Sequence, residues 1–229
     1  SHFTIKHYLA LENCFNQILI SSFLPSVRSF HFYVKLFIYN IVLYYGDSMS
    51  SITQDDDKIR LSKLDRDKLL DLFFIQIKNI WRVDGLYFQG IEKNFGVDNA
   101  TEIDKNTWEI LAKIEAKDLK NLFNYSSVSN IESLMKLLLN TSWALYQEEK
   151  KYNIDELKNT GEFYVIKCKV QEARIKRGLQ VFPCKNVRLS YLKSFVRELN
   201  PKIDVEVISC PPDEKKPDYW CGWRFKFVE

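Results

Sequence analysis

Histidine is nearly missing from this chain. The three histidines among 229 residues are His2, His7 and His31, so residues 49–229 have none. That stretch therefore excludes histidine triads, histidine general bases and metal sites built on histidine. Glycine is scarce as well, and neither G-x-G-x-x-G nor G-K-[ST] occurs, which removes the common phosphate-cradling loops. An excess of one charge is also lacking. The 33 Lys and Arg face 30 Asp and Glu, with no basic run, so a nucleic-acid partner is not expected. No apolar run is long enough to cross a membrane. The longest, "FHFYVKLFIYNIVLYY" (30–45), is broken by His31, Lys35 and Asn40 and falls short of the roughly 20 residues a spanning helix needs.

The first 48 residues differ from the rest. Their only charges are Lys6, Glu12, Arg28, Lys35 and Asp47, and no small-residue cleavage site follows the apolar run, so they do not read as a signal peptide. Met49 is the only methionine before Met135, and Gly46-Asp47-Ser48 can be encoded as GGAGATAGC, a ribosome-binding sequence placed before a start codon. The expectation is that residues 1–48 are a translated leader, not native protein. A membrane anchor or a genuine helix is the competing reading.

What remains is long enough to bury a core. Residues 49–64 read as a polar, frayed lead-in. From Asp65, the spacing of Leu69, Leu70, Phe73, Ile77, Trp81, Phe88 and Ile91 predicts a helix, with Gly96 as its C-cap and Asp98 as the N-cap of the next. The same pattern runs through 99–123 and, more briefly, 131–139. After Thr141 the period changes. "WALYQEEKKYNI" and "EFYVIKCKV" alternate like antiparallel strands, with Tyr164, Ile166, Cys168 and Val170 on one face. "QEARIKRG" reads as a short helix or turn and 186–199 as an amphipathic helix. "KIDVEVIS" and "YWCGWRFKFV" are closing strands. The fold class is α+β: a helical part (65–140) packed, as one domain, on a C-terminal antiparallel sheet with one inserted amphipathic helix (141–229).

The chemistry left is thiol and carboxylate. Cys168, Cys184, Cys210 and Cys221 suit a tetrathiolate zinc site or an iron–sulfur cluster by number, but their spacing lacks the paired C-x₂₋₄-C knuckle. Buried free cysteines packing as small hydrophobes are the alternative. In the last hairpin, a symmetric turn sets Cys210 opposite Cys221 but pairs Val205 and Val207 with Lys226 and Arg224. A one-residue shift pairs the valines with aromatic residues and turns the cysteines to opposite faces, unless a bulge at Pro211-Pro212 restores them. On the first helix, Asp84 and Glu92 share a stripe with Phe88. Asp84, flanked by Trp81, Tyr87 and Phe88, is either a desolvated acid and ligand anchor or an exposed carboxylate beside the core. Arg174 is either a carboxylate clamp or a salt-bridge partner.

Four blocks, "DGLYFQGIEKNFG", "EIDKNTWEILAKIEAKDLKNL", "CKVQEARIKRGLQVFPCK" and "CPPDEKKPDYWCGWRF", resemble a family of uncharacterised prokaryotic cytosolic proteins. That family is distantly similar to the L-2-amino-thiazoline-4-carboxylic acid hydrolase-like group. The C-terminal portion is similar to small-molecule-binding domains of the 4-vinyl-reductase type. The resemblance matches Asp84-Gly85, the four cysteines, Pro211-Pro212-Asp213 and Trp220-Cys221-Gly222-Trp223. It implies a cytoplasmic domain that binds or senses a small molecule, with zinc or an iron–sulfur cluster on Cys168, Cys184, Cys210 and Cys221. Trp81, Asp84, Tyr87, Phe88, Arg174 and Trp220 are then the expected ligand contacts, and a homodimer is compatible with this. The alternative is a hydrolase of a small heterocyclic or amide-like substrate. Asp84 or Glu92 would be its base or metal-binding carboxylate, and no nucleophile–base pair is evident beside them.

Overall fold

A computed structural model describes residues 51–228; the expected leader, 1–48, lies outside them. The segment expected to fray contains a capped helix, α1 (Gln54–Ser62). The Thr53 side chain accepts a hydrogen bond from the Asp56 N–H while the Asp56 carboxylate accepts the Thr53 N–H. That reciprocal pair satisfies two of the free donors at a helix start. Asp55, Asp56 and Asp57 in the first turn and Arg60 in the last complement the helix dipole. Polarity here is capping chemistry.

Residues from Asp65 onward form one compact unit. Asp65 caps α2 (Arg66–Phe95) by accepting the Lys68 N–H at 2.9 Å. A single residue, Gly96, then serves as the C-cap of α2 and the N-cap of α3 (Val97–Leu122). Its φ of 85° is open to glycine at little cost. Asp98, expected as the cap, instead lies in the first turn of α3, where its charge still favours the helix N-terminus. Then come α4 (Ile131–Leu139) and α5 (Ser142–Tyr146). The first half of the predicted strand after Thr141 is therefore helical, because the Thr141 hydroxyl accepts the Ala144 N–H at 3.1 Å and starts a turn.

The sheet consists of β1 (Glu149–Asp155), β2 (Thr160–Lys167), β3 (Ile203–Ser209) and β4 (Cys221–Phe227), antiparallel throughout in the order β1-β2-β4-β3. Between β2 and β3 lie α6 (Lys169–Lys176) and α7 (Lys185–Leu199), two inserted helices where one was expected. The α+β architecture is as read from the sequence. Gly161, Phe163 and Val165 of β2 are buried with Val205, Trp223 and Phe225 beneath α4 and α7. Tyr164 and Ile166 are on the half-buried face, and the expected alternation stops at Lys167, since Cys168 caps α6 and Val170 belongs to it. No described helix is long and apolar enough to cross a membrane.

In the last hairpin Val205 pairs with Phe225 and Val207 with Trp223, so register follows the buried face. The ladder then slips between Val207 and Ser209, leaving Ser209 opposite Gly222. This irregularity turns Cys210 back toward Cys221. The correction that the hairpin needs is made inside β3, ahead of the expected Pro211-Pro212 position.

At Gly161 α4 presses close on the sheet. A Cβ there would sit 2.5 Å from Ile131 Cγ2 and 2.6 Å from Met135 Cε, both on buried side chains. Gly161→Ala is expected to destabilise the domain by about 1–3 kcal/mol through overpacking, read as a lower denaturation midpoint at unchanged slope in urea.

Candidate functional site

The inward stripe of α2 carries Trp81, Asp84, Phe88 and Glu92; that of α3 carries Ala100, Asp104, Trp108, Ala112 and Ala116 at intervals of four. Such spacing keeps side chains on one helix face. Where the stripes meet, Trp81 stacks on Trp108 with ring centroids 4.6 Å apart, and Tyr146 stacks on Trp81 at 4.8 Å. Trp108 Nε1 donates to Asp84 Oδ1 at 3.1 Å. Asp104 is buried beside them.

From α7, Arg188 enters the same space. Its guanidinium carbon lies 4.7 to 5.7 Å from the ring centres of Tyr191, Trp143, Trp108 and Trp81, each close enough for attraction to the ring face. Tyr191 is held in turn by donating its hydroxyl hydrogen to Glu115 Oε2 at 2.6 Å. Arg188 makes no described salt bridge, and its Nη1 and Gln147 Oε1 are buried without a hydrogen-bond partner. One is a donor and the other an acceptor.

Two cavities adjoin these groups. The outer, about 370 Å³, is walled by Trp81, Phe88, Tyr146 and Phe182, with Asp84 and Asp104 among its polar lining groups. The inner, about 40 Å³, shares Trp81, Asp84, Asp104 and Phe182 with it and reaches Gln147, Arg188 and Cys184. Burial raises both carboxyls above the usual aspartate range. For Asp84 the Trp108 hydrogen bond and the Arg188 charge oppose the rise. For Asp104 the neighbouring Asp84 charge adds to it, and its pKa reaches about 8. Asp104 thus keeps its proton at neutral pH, while the Arg188 charge favours the ionised form of either carboxyl.

The expected site residues separate accordingly. Trp81, Asp84 and Phe88 line the outer cavity. Arg174 lines it too, but its guanidinium forks onto Glu92 at 2.9 and 2.7 Å and its Nε donates to Gln180 O. The hydrogen bonds from Arg174 hold the Glu92 carboxyl below its usual range. Glu92 and Arg174 satisfy each other, so the arginine is a wall strut and not an open clamp. Tyr87 is 72% exposed and faces a separate shallow depression beside Leu86 and Phe95, being one residue round the helix from Phe88. Trp220 lies under Lys215, whose Nζ is 4.5 Å from the ring centre, and lines neither cavity.

Sequence reasoning missed Asp104, Trp108, Tyr146 and Arg188. A signal existed for two of them. Asp104 is a carboxylate on an otherwise apolar four-residue stripe, and Arg188 shares the buried face of α7 with Tyr191, Leu192 and Phe195. What the spacing does not carry is that these helices meet.

The four cysteines among the described residues are free, and Cys168, Cys184 and Cys221 line the inner cavity. Cys184 Sγ lies 3.6 Å from Cys210 Sγ, and Cys221 also acts on Cys210. Burial raises the Cys168 thiol. Two thiolates on one tetrahedral metal have about that separation. Yet among the described residues no three or more Cys, Asp, Glu or His side chains are arranged to hold a metal ion. The sulfurs are a contact pair with neighbours, and the donor set does not fit zinc or a cluster as it stands.

In a comparison with curated proteins none matches the chain. A family model does, over residues 61–227, which takes in both stripes, the sheet and all four of these cysteines. The chain belongs to that family, described as a family of unknown function, DUF6125.

Proposed function

We propose that this is a small-molecule-binding domain whose ligand enters between α2 and α6 and sets its polar end against Asp84 and Asp104. The observation that carries this is the coincidence of an aromatic-walled cavity with a carboxyl pair and two unpaired buried polar atoms behind it. Ligand sites combine mostly apolar walls with a few convergent polar groups, and an unpaired buried polar atom is unusual enough to need a partner. The ligand that fits is small and flat, with hydrogen-bonding groups at its inner end and apolar surface toward Trp81, Tyr146 and Phe88. Free thiols and the lack of a histidine-based centre from residue 49 onward are in keeping with a cytoplasmic sensing or binding role.

A second reading has its own support. Two adjoining buried carboxyls, of which Asp104 keeps its proton to about pH 8 while the Arg188 charge and the Trp108 hydrogen bond favour ionisation of Asp84, suit the acid and base roles that hydrolysis of an amide-like or heterocyclic bond requires. A thermal-shift and Trp-fluorescence screen of small heterocyclic and amide compounds separates the two. A binder should show saturable stabilisation without chemical change, whereas a substrate should be consumed. Asp104→Asn is expected to weaken a hit by tenfold or more, corresponding to about 1.4 kcal/mol, and Tyr87→Ala to leave it unchanged. A hit indifferent to Asp84→Asn and Asp104→Asn alike would place the ligand elsewhere.

The carboxyl pair also fixes a pH dependence. Asp104 binds its proton more tightly folded than unfolded, so its contribution to stability is full below the unfolded pKa near 3.8 and declines as pH rises toward about 8. Between pH 6 and 9 the melting temperature of the native chain is expected to fall. That of Asp104→Asn, which cannot ionise there, should fall less.

A further inference from the structure

Cys184 and Cys210 are joined by more than proximity. Cys184 stands at the N-cap of α7 and Cys210 follows β3 directly. Three interactions tie the two places together. The Lys185 N–H donates to the Pro211 carbonyl at 2.8 Å, the Lys185 ammonium pairs with the Asp213 carboxylate, and Asp213 Oδ2 accepts the Cys210 N–H at 3.2 Å. The sulfurs are thereby held 3.6 Å apart, a short movement from the 2.03–2.05 Å of a disulfide.

The two thiols are not equivalent. Cys184 lines the inner cavity and Cys210 does not. Gln171 Nε2 points at Cys184 Sγ from 3.5 Å, and the helix start favours negative charge there. The contact with Cys210, in which either sulfur can donate, the Arg188 charge and Gln171 lower the Cys184 thiol, against its burial. Cys210 is moved the other way by Cys184, Cys221 and burial, and keeps its proton. Gln171 is fixed in turn, accepting the Phe182 N–H at 2.9 Å and donating to the Phe182 carbonyl at 2.8 Å. The inner cavity has room for a molecule of peroxide size, since one water-sized probe needs about 10–15 Å³.

We propose that Cys184 and Cys210 form a redox couple that a small hydroperoxide closes to a disulfide, with Cys184 the thiol that reacts first with the peroxide and Cys210 the resolving one. The Cys184 thiolate attacks one peroxide oxygen. A sulfur–oxygen bond forms, the oxygen–oxygen bond breaks, and the departing alkoxide or hydroxide takes a proton from water, leaving Cys184 as a sulfenic acid. Cys210 sulfur then attacks Cys184 sulfur. The disulfide forms, the sulfur–oxygen bond breaks, and hydroxide leaves with the Cys210 proton as water. Two thiols are oxidised while one peroxide is reduced to an alcohol, or water, and water. A dithiol reductant reverses the change. The couple rests on the paired thiols and is independent of what the outer cavity holds.

The test uses the full chain, reduced, desalted and assayed for metal, then given a small excess of hydrogen peroxide. Peptide mapping without reductant should find the Cys184 and Cys210 peptides linked, with the loss of two hydrogens, and dithiothreitol should undo the link. In Cys210→Ser, dimedone should label Cys184 instead; in Cys184→Ser neither product should form; Cys168→Ser should link as the native chain does. In case a serine variant misfolds, the native chain supplies a second measurement. Iodoacetamide at neutral pH should modify Cys184 about tenfold or more faster than Cys168. A link between other cysteines, stepwise oxidation at Cys184 with no link in the native chain, or thiols that resist peroxide because they hold stoichiometric metal would each overturn the couple.

Discussion

The Arg188 guanidinium is the charge around which this domain is assembled. It is buried, and it makes no described salt bridge. Four aromatic faces from α2, α3, α5 and α7 surround it, each contributing about 0.5–2 kcal/mol of attraction. That does not by itself offset the several kcal/mol of burying an ion. The rest comes from the neighbouring carboxyl pair, where Arg188 favours the ionised form. The same cation acts on Cys184 from the other side. Arg188 thus bears on both the carboxyl pair and the Cys184 thiol, favouring the ionised form of each against the burial that opposes it.

The aromatic residues earn their positions through this arrangement. Trp81 donates its Nε1–H to the Ser142 carbonyl at 3.1 Å, and Trp108 donates to Asp84, so both rings are locked in plane by their polar edges. Rings held in this way keep their faces set toward Arg188, and keep the cavity wall in place, without reorganising. Preorganisation of that kind lowers the entropic cost of binding.

Much of the fold was legible in the chain, and the reasons are local. Helices α2, α3 and α7 carry 3.6-residue patterns, and the closing strands alternate cleanly. α1 and α5 were not legible because each is started by a polar capping residue, Thr53 or Thr141, and α1 has no buried residue while α5 is only 5 residues long, too short to show a period. The site was half legible. Trp81, Asp84 and Phe88 lie on a visible stripe, but Asp104 and Arg188 acquire meaning only when α2, α3 and α7 come together. Glu92 and Arg174, 82 residues apart, each look like a free functional charge until the fold pairs them. Likewise, the cysteine spacing could not reveal the slip in β3 that turns Cys210 toward its neighbours.

The one-residue joint at Gly96 has a consequence for how such a domain can diversify. Asp84 lies about 18 Å along α2 on one side of that joint and Asp104 about 12 Å along α3 on the other, at 1.5 Å per residue. The two carboxyls therefore ride on the arms of a caliper whose pivot is a single backbone angle. Gly96 turns the arms back on each other, and the Trp81–Trp108 stack and the Trp108–Asp84 hydrogen bond hold the jaws at their distance. Walls away from those contacts, Phe88 and Phe182, can be exchanged for a different ligand without moving the jaws, while the carboxyls' hold on their proton follows the burial the walls supply.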